Sequence, residues 1–440
     1  MKHLKVLLVS AALFLGSGSL SSHESTLSHG PSAERRIAAP AGWWKGNTHT
    51  HTWWSDGDSP PELVAAWYRE RDYNFLVLSD HNRMQEGELW YRLDTDAKRA
   101  AFESYRQGFG EDWIERREVG GFTEVKLKTL DEFRSFFEKR DTFIFMRGME
   151  ITDRFDTHPV HVNGVNLERP IIPQGGKTVG EMLQRNIDAV REQGRRSGRP
   201  MFAHVNHPNF YQAITAEDLV SLNHDAGEGF FEVYNGHPGV RNEGDARFPS
   251  VERMWDIVLS RRLGERNTSI TYGIATDDAH EYTKWGLRSV NPGRGWVMVR
   301  AKRLTPDSIA AAMKRGDFYN STGVTLNSVE RSNSTLAVDI KADPGTNYVI
   351  EFVGTRRKTN LAGNAVHVES KFDGGRASQT YDAAVGEVLL RVEGIKATYT
   401  LKGDELYVRA RITSSRLHPN PYAEGDREMA WTQPLISVTP

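Results

Sequence analysis

Asn74-Phe75-Leu76-Val77-Leu78-Ser79-Asp80-His81-Asn82 is an apolar run of strand length that ends on a carboxylate and an imidazole. Such a run, bounded by polar residues, reads as a buried strand. The form recurs. Thr142-Phe143-Ile144-Phe145-Met146 leads to Glu150, and Pro200-Met201-Phe202-Ala203-His204 leads to Asn206-His207-Pro208. Ser269-Ile270-Thr271-Tyr272-Gly273-Ile274 leads to Asp277-Asp278-Ala279-His280, and Gly229-Phe230-Phe231-Glu232-Val233-Tyr234 is a further strand. Helical stretches lie between: one after Ser59-Pro60, one from Thr178 with Glu181 three residues on, and one from Thr305-Pro306-Asp307 to Lys314. Strands alternating with helices predict an α/β fold with a parallel sheet. Chemistry at strand ends matches the face that carries active sites in βα barrels.

The segment Asn47-Thr48-His49-Thr50-His51-Thr52-Trp53-Trp54-Ser55-Asp56-Gly57 precedes these runs. Residues two apart on a strand share a side. His49 and His51 can therefore bind one ion together, and Asp56, in the loop that follows, a neighbouring one. Glu150 directly after an apolar strand is costly unless paired or metal-bound, and His161 lies eleven residues further on. Of the 15 histidines, ten fall between His49 and His280, a concentration that predicts a multinuclear metal site. A His/Asp/Glu set without sulfur fits Zn2+, Mn2+ or Fe2+ and disfavours Ca2+.

The 440 residues carry 56 Lys+Arg against 58 Asp+Glu, so no bulk positive field exists to hold nucleic acid. The absence of cysteine excludes disulfides, thiolate zinc sites and cysteine nucleophiles. Residues 1–22 have the form of a secretory signal: Lys2 and Lys5, an apolar stretch from Val6 to Leu15, then small residues. The expectation is a secreted or periplasmic protein with no membrane span after cleavage, and a flexible lead-in over 23–42. A catalytic unit is expected over 43–324, with residues 84–140 as helices and loops inserted above it. After Thr322, alternating β-branched segments such as Thr335–Ile340, Tyr348–Val353, Glu387–Val392 and Leu406–Arg411 predict a small antiparallel β-sandwich-like domain over 325–440.

The ordered set His49-Thr50-His51 with Ser55-Asp56-Gly57, Ser79-Asp80-His81-Asn82, Glu150, His161, Asn206-His207-Pro208 and Asp278-Ala279-His280 resembles the PHP (polymerase and histidinol phosphatase) family over about residues 43–325. The resemblance implies a distorted (β/α)7 TIM-like barrel, two or three divalent metal ions, and phosphoester hydrolysis as the commonest activity. It implies that His49, His51, Glu150 and Asp278 hold one ion and Glu150, His161 and His207 a second. Asp56, His81 and His280 surround a third or contact the bridging water. His204 also fits a ligand position, though His207 matches the family's His-Pro pair better. Phe231–Gly236, Gly293–Val297, Arg315–Tyr319 and Ala430-Trp431-Thr432-Gln433-Pro434 resemble the carbaryl-hydrolase-like branch, whose founding members cleave a carbamate ester.

The expected function is an exported hydrolase acting on a small-molecule ester, most readily a phosphoester, through a hydroxide bridging the ions. Asp56 or His280 would protonate the leaving group, and Arg294 would bind the phosphate. The alternatives are a carbamate or carboxylic ester hydrolase on the same metals, and a metal-dependent binding protein. Arg154, Asn235, His237 and Tyr319 are further pocket candidates. Asn82, Asn206, Asp80 and Asp277 are placed to orient ligands. Trp53 and Trp54 either pack in the core or form a substrate-stacking wall. Trp44 is expected to pack in the core, and His224, His367 and His418 to have no catalytic role.

Overall fold

The structure, a computed structural model, describes residues 42–266, 268–367 and 376–436. The expected signal and nearly all of the lead-in lie outside them. Among the described residues no helix is long and apolar enough to cross a membrane. In chain order the first part comprises β1 (Trp43–Asn47), α1 (Pro61–Arg69), β2 (Phe75–Leu78), β3 (Trp90–Arg92), α2 (Asp96–Phe109), β4 (Arg116–Val119), β5 (Phe122–Lys126), α3 (Leu130–Phe137), β6 (Ile144–Phe155) and β7 (His158–Val165). It continues through α4 (Val179–Ser197), β8 (Phe202–Val205), α5 (Ala216–Ser221), β9 (Gly229–Asn235), α6 (Val251–Gly264), β10 (Thr271–Thr276), β11 (Trp296–Arg300), α7 (Pro306–Lys314) and β12 (Phe318–Ser321).

Each apolar run read from the sequence is a strand, fully or largely buried. The helix starts follow their caps. Thr178 accepts from Glu181 N at 3.1 Å, and Thr305 accepts from Ser308 N at 3.3 Å. The first helix opens one residue later than expected, with Pro60 as its cap.

Seven strands lie in the order β1-β2-β6-β7-β8-β9-β10. Strict strand–helix alternation does not hold. β6 and β7 form an antiparallel hairpin across Asp156-Thr157, and β7 pairs antiparallel with β8 as well, so β7 runs against its neighbours. At the end holding the histidines the ring joins: Thr50 bridges Ala279 in parallel, His51 N donates to Ala279 O at 2.8 Å and Asp278 N to His49 O at 3.0 Å. At the other end β1 turns to β11 and β12 instead. Two amides span the edge of β10 left open there. Asn320 accepts from Ala275 N and donates to Gly273 O, both at 2.9 Å, and Gln433 bonds Gly273 N and O at 3.1 and 2.8 Å. A buried edge strand needs such partners for its backbone, and Gln433 of the terminal motif supplies them.

The inserted residues hold more strand than expected. β3, β5 and β4 form a three-stranded sheet whose charged faces hide the alternation: Arg92 and Arg117 both grip Glu124. Trp53 and Trp54 pack beneath this lobe with Phe102, Tyr105, Val125 and Leu127. Trp53 stacks on Tyr91 at 4.5 Å. These two tryptophans are core, not a substrate wall.

The C-terminal part comprises β13 (Leu326–Arg331), β14 (Thr335–Ile340), β15 (Tyr348–Arg356), β16 (Glu387–Glu393), β17 (Lys396–Thr400), β18 (Glu405–Leu417), β19 (Arg427–Thr432) and β20 (Leu435–Ile436). β12 pairs with β19, and the large sheet continues as β19-β18-β15-β16. The small sheet β13-β14-β17 packs Leu336, Val338 and Ile340 against Ile350, Phe352 and Ile412. The two parts also share a buried ion pair. Arg409 of β18 holds Asp256 of α6 with contacts of 2.9 and 2.7 Å and lies 2.8 Å from Glu252, while Tyr407 donates to Asp256 at 2.8 Å. Arg409→Met strands Asp256 in the interior. The expected loss is about 3–5 kcal/mol, read as a lowered urea midpoint; an unchanged midpoint would refute the role given to this pair.

Candidate metal centre

The ligand candidates converge because strand continuations lie side by side. The segment after β1 runs between those after β2 and β10, with Ser79 N donating to Thr50 O at 2.9 Å. His81, beyond β2, forms a parallel bridge with Glu150, which lies midway along β6, and Asn82 N donates to Glu150 O at 2.8 Å. His207 (φ 27°), Asp278 (φ 50°) and Asn82 (φ 52°) occupy left-handed backbone space, a strain that gathers at functional sites.

Nine predicted residues meet here: His49, His51, Asp56, His81, Glu150, His161, His207, Asp278 and His280. They form four overlapping groups of potential metal-binding atoms. His49 Nε2 and His51 Nε2 face Asp278 Oδ1 at 3.0 and 3.2 Å. Glu150 Oε1 faces His49 Nε2 and His207 Nε2 at 3.4 Å each and His161 Nδ1 at 3.0 Å. Its Oε2 faces His51 Nε2 at 3.4 Å and His81 Nδ1 at 2.8 Å. Asp56 lies 3.4–3.5 Å from His280, His81 and His51. Four ligands at about 2.0–2.2 Å around a tetrahedral ion stand about 3.3 Å apart, which is the spacing seen. His49 Nε2, His51 Nε2 and Glu150 Oε2 are buried with no hydrogen-bond partner. Each such orphan costs about 1–3 kcal/mol, and a divalent cation removes all three. The donor set fits such an ion. His49, His51 and Glu150 form the floor, whereas the Asp56 side chain is 56% exposed and marks the open rim with His81 and His280.

A second layer sets the donors. Glu232 takes His49 Nδ1 at 2.7 Å, which leaves Nε2 to face the cluster. It also accepts from His207 N, Asn235 and Thr276. Asn206 donates to Glu150 Oε1 at 2.7 Å and to Asn163. Asn235 donates to Asp278 Oδ2 at 3.1 Å. Glu232 and Asn163 escaped the sequence reading. Glu232 stands inside an apolar strand, so the reasoning that singled out Glu150 reaches it too.

Several expected residues are elsewhere. Arg294 is fully buried and spends its guanidinium on the carbonyls of Gly236, Ser289 and Gly286 at 2.7, 2.8 and 3.0 Å. It staples two loops and offers nothing to a phosphate, so it is no catalytic residue. Asp277 accepts from Arg294 N, Gly295 N and Tyr68, and Asp80 from Thr52, Ser55 and Gln85; both pin loops and neither orients a ligand histidine. Asn82 ties itself to the backbone of Thr152. Tyr319 is core and Arg154 is exposed. Lys45, a cation close in sequence to the first motif and so within reach of a phosphate there, instead turns its amine over Tyr73 and Trp296. His204 is buried outside all four ligand groups. Burial, with His49 also lowering it against the pull of Glu232, holds its pKa near 4.

Protein charges alone set the centre's protons. Burial opposes the charge on His49, yet Asp278, Glu232 and Glu150 raise its pKa well above the usual value. Burial likewise opposes charge on His81, but Glu150 and Asp56 push it up to about 11. Burial, with His280 and His81 adjacent, lowers His51 to about 3. Glu150 and Asp278 overcome burial and stay far below the usual carboxylate range because of the imidazoles around them.

No protein-family profile matches the sequence, and no curated protein matches it. Solved structures do. One is a two-domain protein of Bacteroides vulgatus containing a predicted PHP-like metal-dependent phosphoesterase: 16% identity, 90% of this chain and 97% of that chain, TM-score 0.37. Another is a candidate metal-dependent phosphoesterase of Bifidobacterium adolescentis: 13% identity, 54% and 88% of the two chains, TM-score 0.29. An amidohydrolase of Chromobacterium violaceum, with sulfate and no metal, matches at 13% identity over 54% and 88%, TM-score 0.26. PHP-like metal-dependent phosphoesterases are thus among the structures this chain is similar to.

Two predictions follow from the centre. A cation must displace the protons held by His49 and His81, so affinity rises with pH from about 6 and is still rising above 8. Calorimetry with Zn2+ or Mn2+ in buffers of different ionisation enthalpy should show proton release. Glu232→Gln should weaken metal affinity about 10–100-fold while the far-ultraviolet circular dichroism is kept; unchanged affinity would dismiss its orienting role.

Proposed function

We propose that this chain is an exported metal-dependent hydrolase of the PHP type that cleaves phosphoester bonds. The observation that carries the reading is Glu150, whose two oxygens face different sets of imidazoles. On this reading His49, His51 and Asp278 share one ion with Glu150, and His161 and His207 share a second with it. Asp56, His81 and His280 hold a third or line its place. Divalent ions held there supply Lewis acidity and an activated water, and Zn2+, Mn2+ and Fe2+ all suit these donors. The chain's own residues do the rest. Asn206 and Glu232 fix the donors. His280 donates from Nδ1 to Asp278 O, and against burial Asp56 and Asp278 favour its charged form; the Nε2–H of that imidazolium, 3.4 Å from Asp56, stands at the open rim for a departing oxygen. Four carboxylates, Glu150, Asp278, Asp56 and Glu232, would balance the charge of two divalent ions, so an anionic ester would have to be held by the ions themselves and by ring N–H donors at the rim, not by an arginine. Export rests on the form of residues 1–22.

The burial of Arg294 and the turning away of Lys45 favour a second reading, a carbamate or carboxylic ester as substrate. The resemblance of Ala430–Pro434 to the carbaryl-hydrolase-like branch supports it.

The test loads the chain from about residue 23 separately with Zn2+ and Mn2+. It compares a phosphomonoester, a phosphodiester and an aryl carbamate. Glu150→Ala should lose the paired ions and at least about 10³-fold in kcat. Activity retained by that variant at full metal occupancy would refute the assignment, and turnover of the carbamate alone would select the second reading.

A further inference from the structure

Beside the ligand cluster one imidazole has its proton placed by the backbone. His237, two residues beyond β9, is half-buried. Its Nδ1 accepts a hydrogen bond from Gly239 N at 2.8 Å, and its own N donates to Asn235 Oδ1 at 2.8 Å. A ring nitrogen that accepts from an N–H carries no proton, so the proton of the neutral ring sits on Nε2. Asn235 donates in turn to Glu232 and Asp278 at 2.8 and 3.1 Å, so this turn is set on the same groups that set the ligands. The ring meets His280 edge-on at 5.7 Å and Phe210 at 5.3 Å, and Phe210 packs on His207 at 4.9 Å. Among the described residues no acceptor takes the Nε2 proton, and the atom is not sealed in the interior. The approach is close enough to require glycine at 239. A Cβ there would stand 2.8 Å from the Phe210 ring and 2.9 Å from the His237 ring.

We propose that His237 is a catalytic residue of the hydrolysis assigned above, on which this inference rests: its Nε2–H donates a hydrogen bond to the substrate oxygen on which negative charge develops. A donor whose tautomer and direction are fixed before substrate arrives acts without reorganisation, which makes a single such bond effective. It supplies at the rim the polar recognition that the sequence had assigned to Arg294. His280 holds a proton for the leaving group, whereas His237 only donates a hydrogen bond.

The test uses the metal-loaded protein and the ester it turns over best. His237→Phe keeps a ring and removes the donor; it should lower kcat/KM about 100-fold at unchanged metal content. His237→Gln restores an N–H near the Nε2 position and should recover at least a tenfold share of that loss. Gly239→Ala keeps the histidine but displaces its ring, and should resemble His237→Phe. Nitrogen-15 spectra of histidine-labelled protein, with His237 assigned by its absence from the Phe variant, should show the Nε2–H tautomer. Wild-type kcat/KM in His237→Phe, or a proton on Nδ1, would overturn the proposal while the hydrolase stands. So would equal losses in the Phe and Gln variants. No turnover of any ester by the wild-type protein would sink the hydrolase reading, and the proposal with it.

Discussion

Two backbone hydrogen bonds, His51 N to Ala279 O and Asp278 N to His49 O, join the first and last strands of the seven-stranded ring. The residues that close the ring are therefore the residues that form the floor of the metal centre. This coupling explains why the strands agree at one end and diverge at the other. Where ligands sit, β1 continues against β10. Away from them β1 pairs with β11, and β10 is left to the amides of Asn320 and Gln433. A cation bound between His49, His51 and Asp278 would pull together the same two strand ends that these backbone bonds hold.

The centre gathers charge on a floor that water does not reach, His49, His51 and Glu150, beneath an open rim. Three carboxylates and several imidazoles stand within van der Waals distance of one another, and the interior magnifies both attraction and repulsion. Glu232, Asn206 and Asn235 turn that crowding into fixed directions. Glu232 and Asn235 bind the ligand atoms turned away from the cluster, His49 Nδ1 and Asp278 Oδ2, whereas Asn206 shares Glu150 Oε1 with the imidazoles and fixes that carboxylate in place. The same economy governs Arg294 and Asp277, whose charges are absorbed in holding the loops after β9 and β10. The rim is thereby left to Asp56, a carboxylate that His280 and His81 keep ionised against burial, and to His81, His280 and His237, whose ring N–H groups can donate.

The C-terminal strands extend this logic outward. β12 lies in the sheet of both parts, Arg409 ties α6 to β18, and Asn420 reaches the carbonyl of Pro292 in the loop that Arg294 holds. The second part thus supports the loops at the mouth as well as burying its own apolar faces.

Much of this was legible in the chain itself. Apolar runs ending in His, Asp or Glu specify where a buried strand stops and a polar end begins, because hydrophobic burial and the cost of an unpaired charge act locally. Those two rules pointed to the strand ends, the spacing of His49 and His51 to a shared ion, and the resemblance to the PHP family supplied the full set of nine ligand candidates. Residue order could not show which way a side chain turns once its neighbours arrive. Arg294 and Glu232 demonstrate this in opposite senses: an arginine beside the motifs proved bound to carbonyls, and a glutamate inside an apolar strand proved to set His49. The reversal of β7, the strands hidden among the charges of residues 84–140, and the proton position on His237 belong to the same class. Each is decided by partners far apart in sequence, whose hydrogen-bonding groups have only one another once water is excluded.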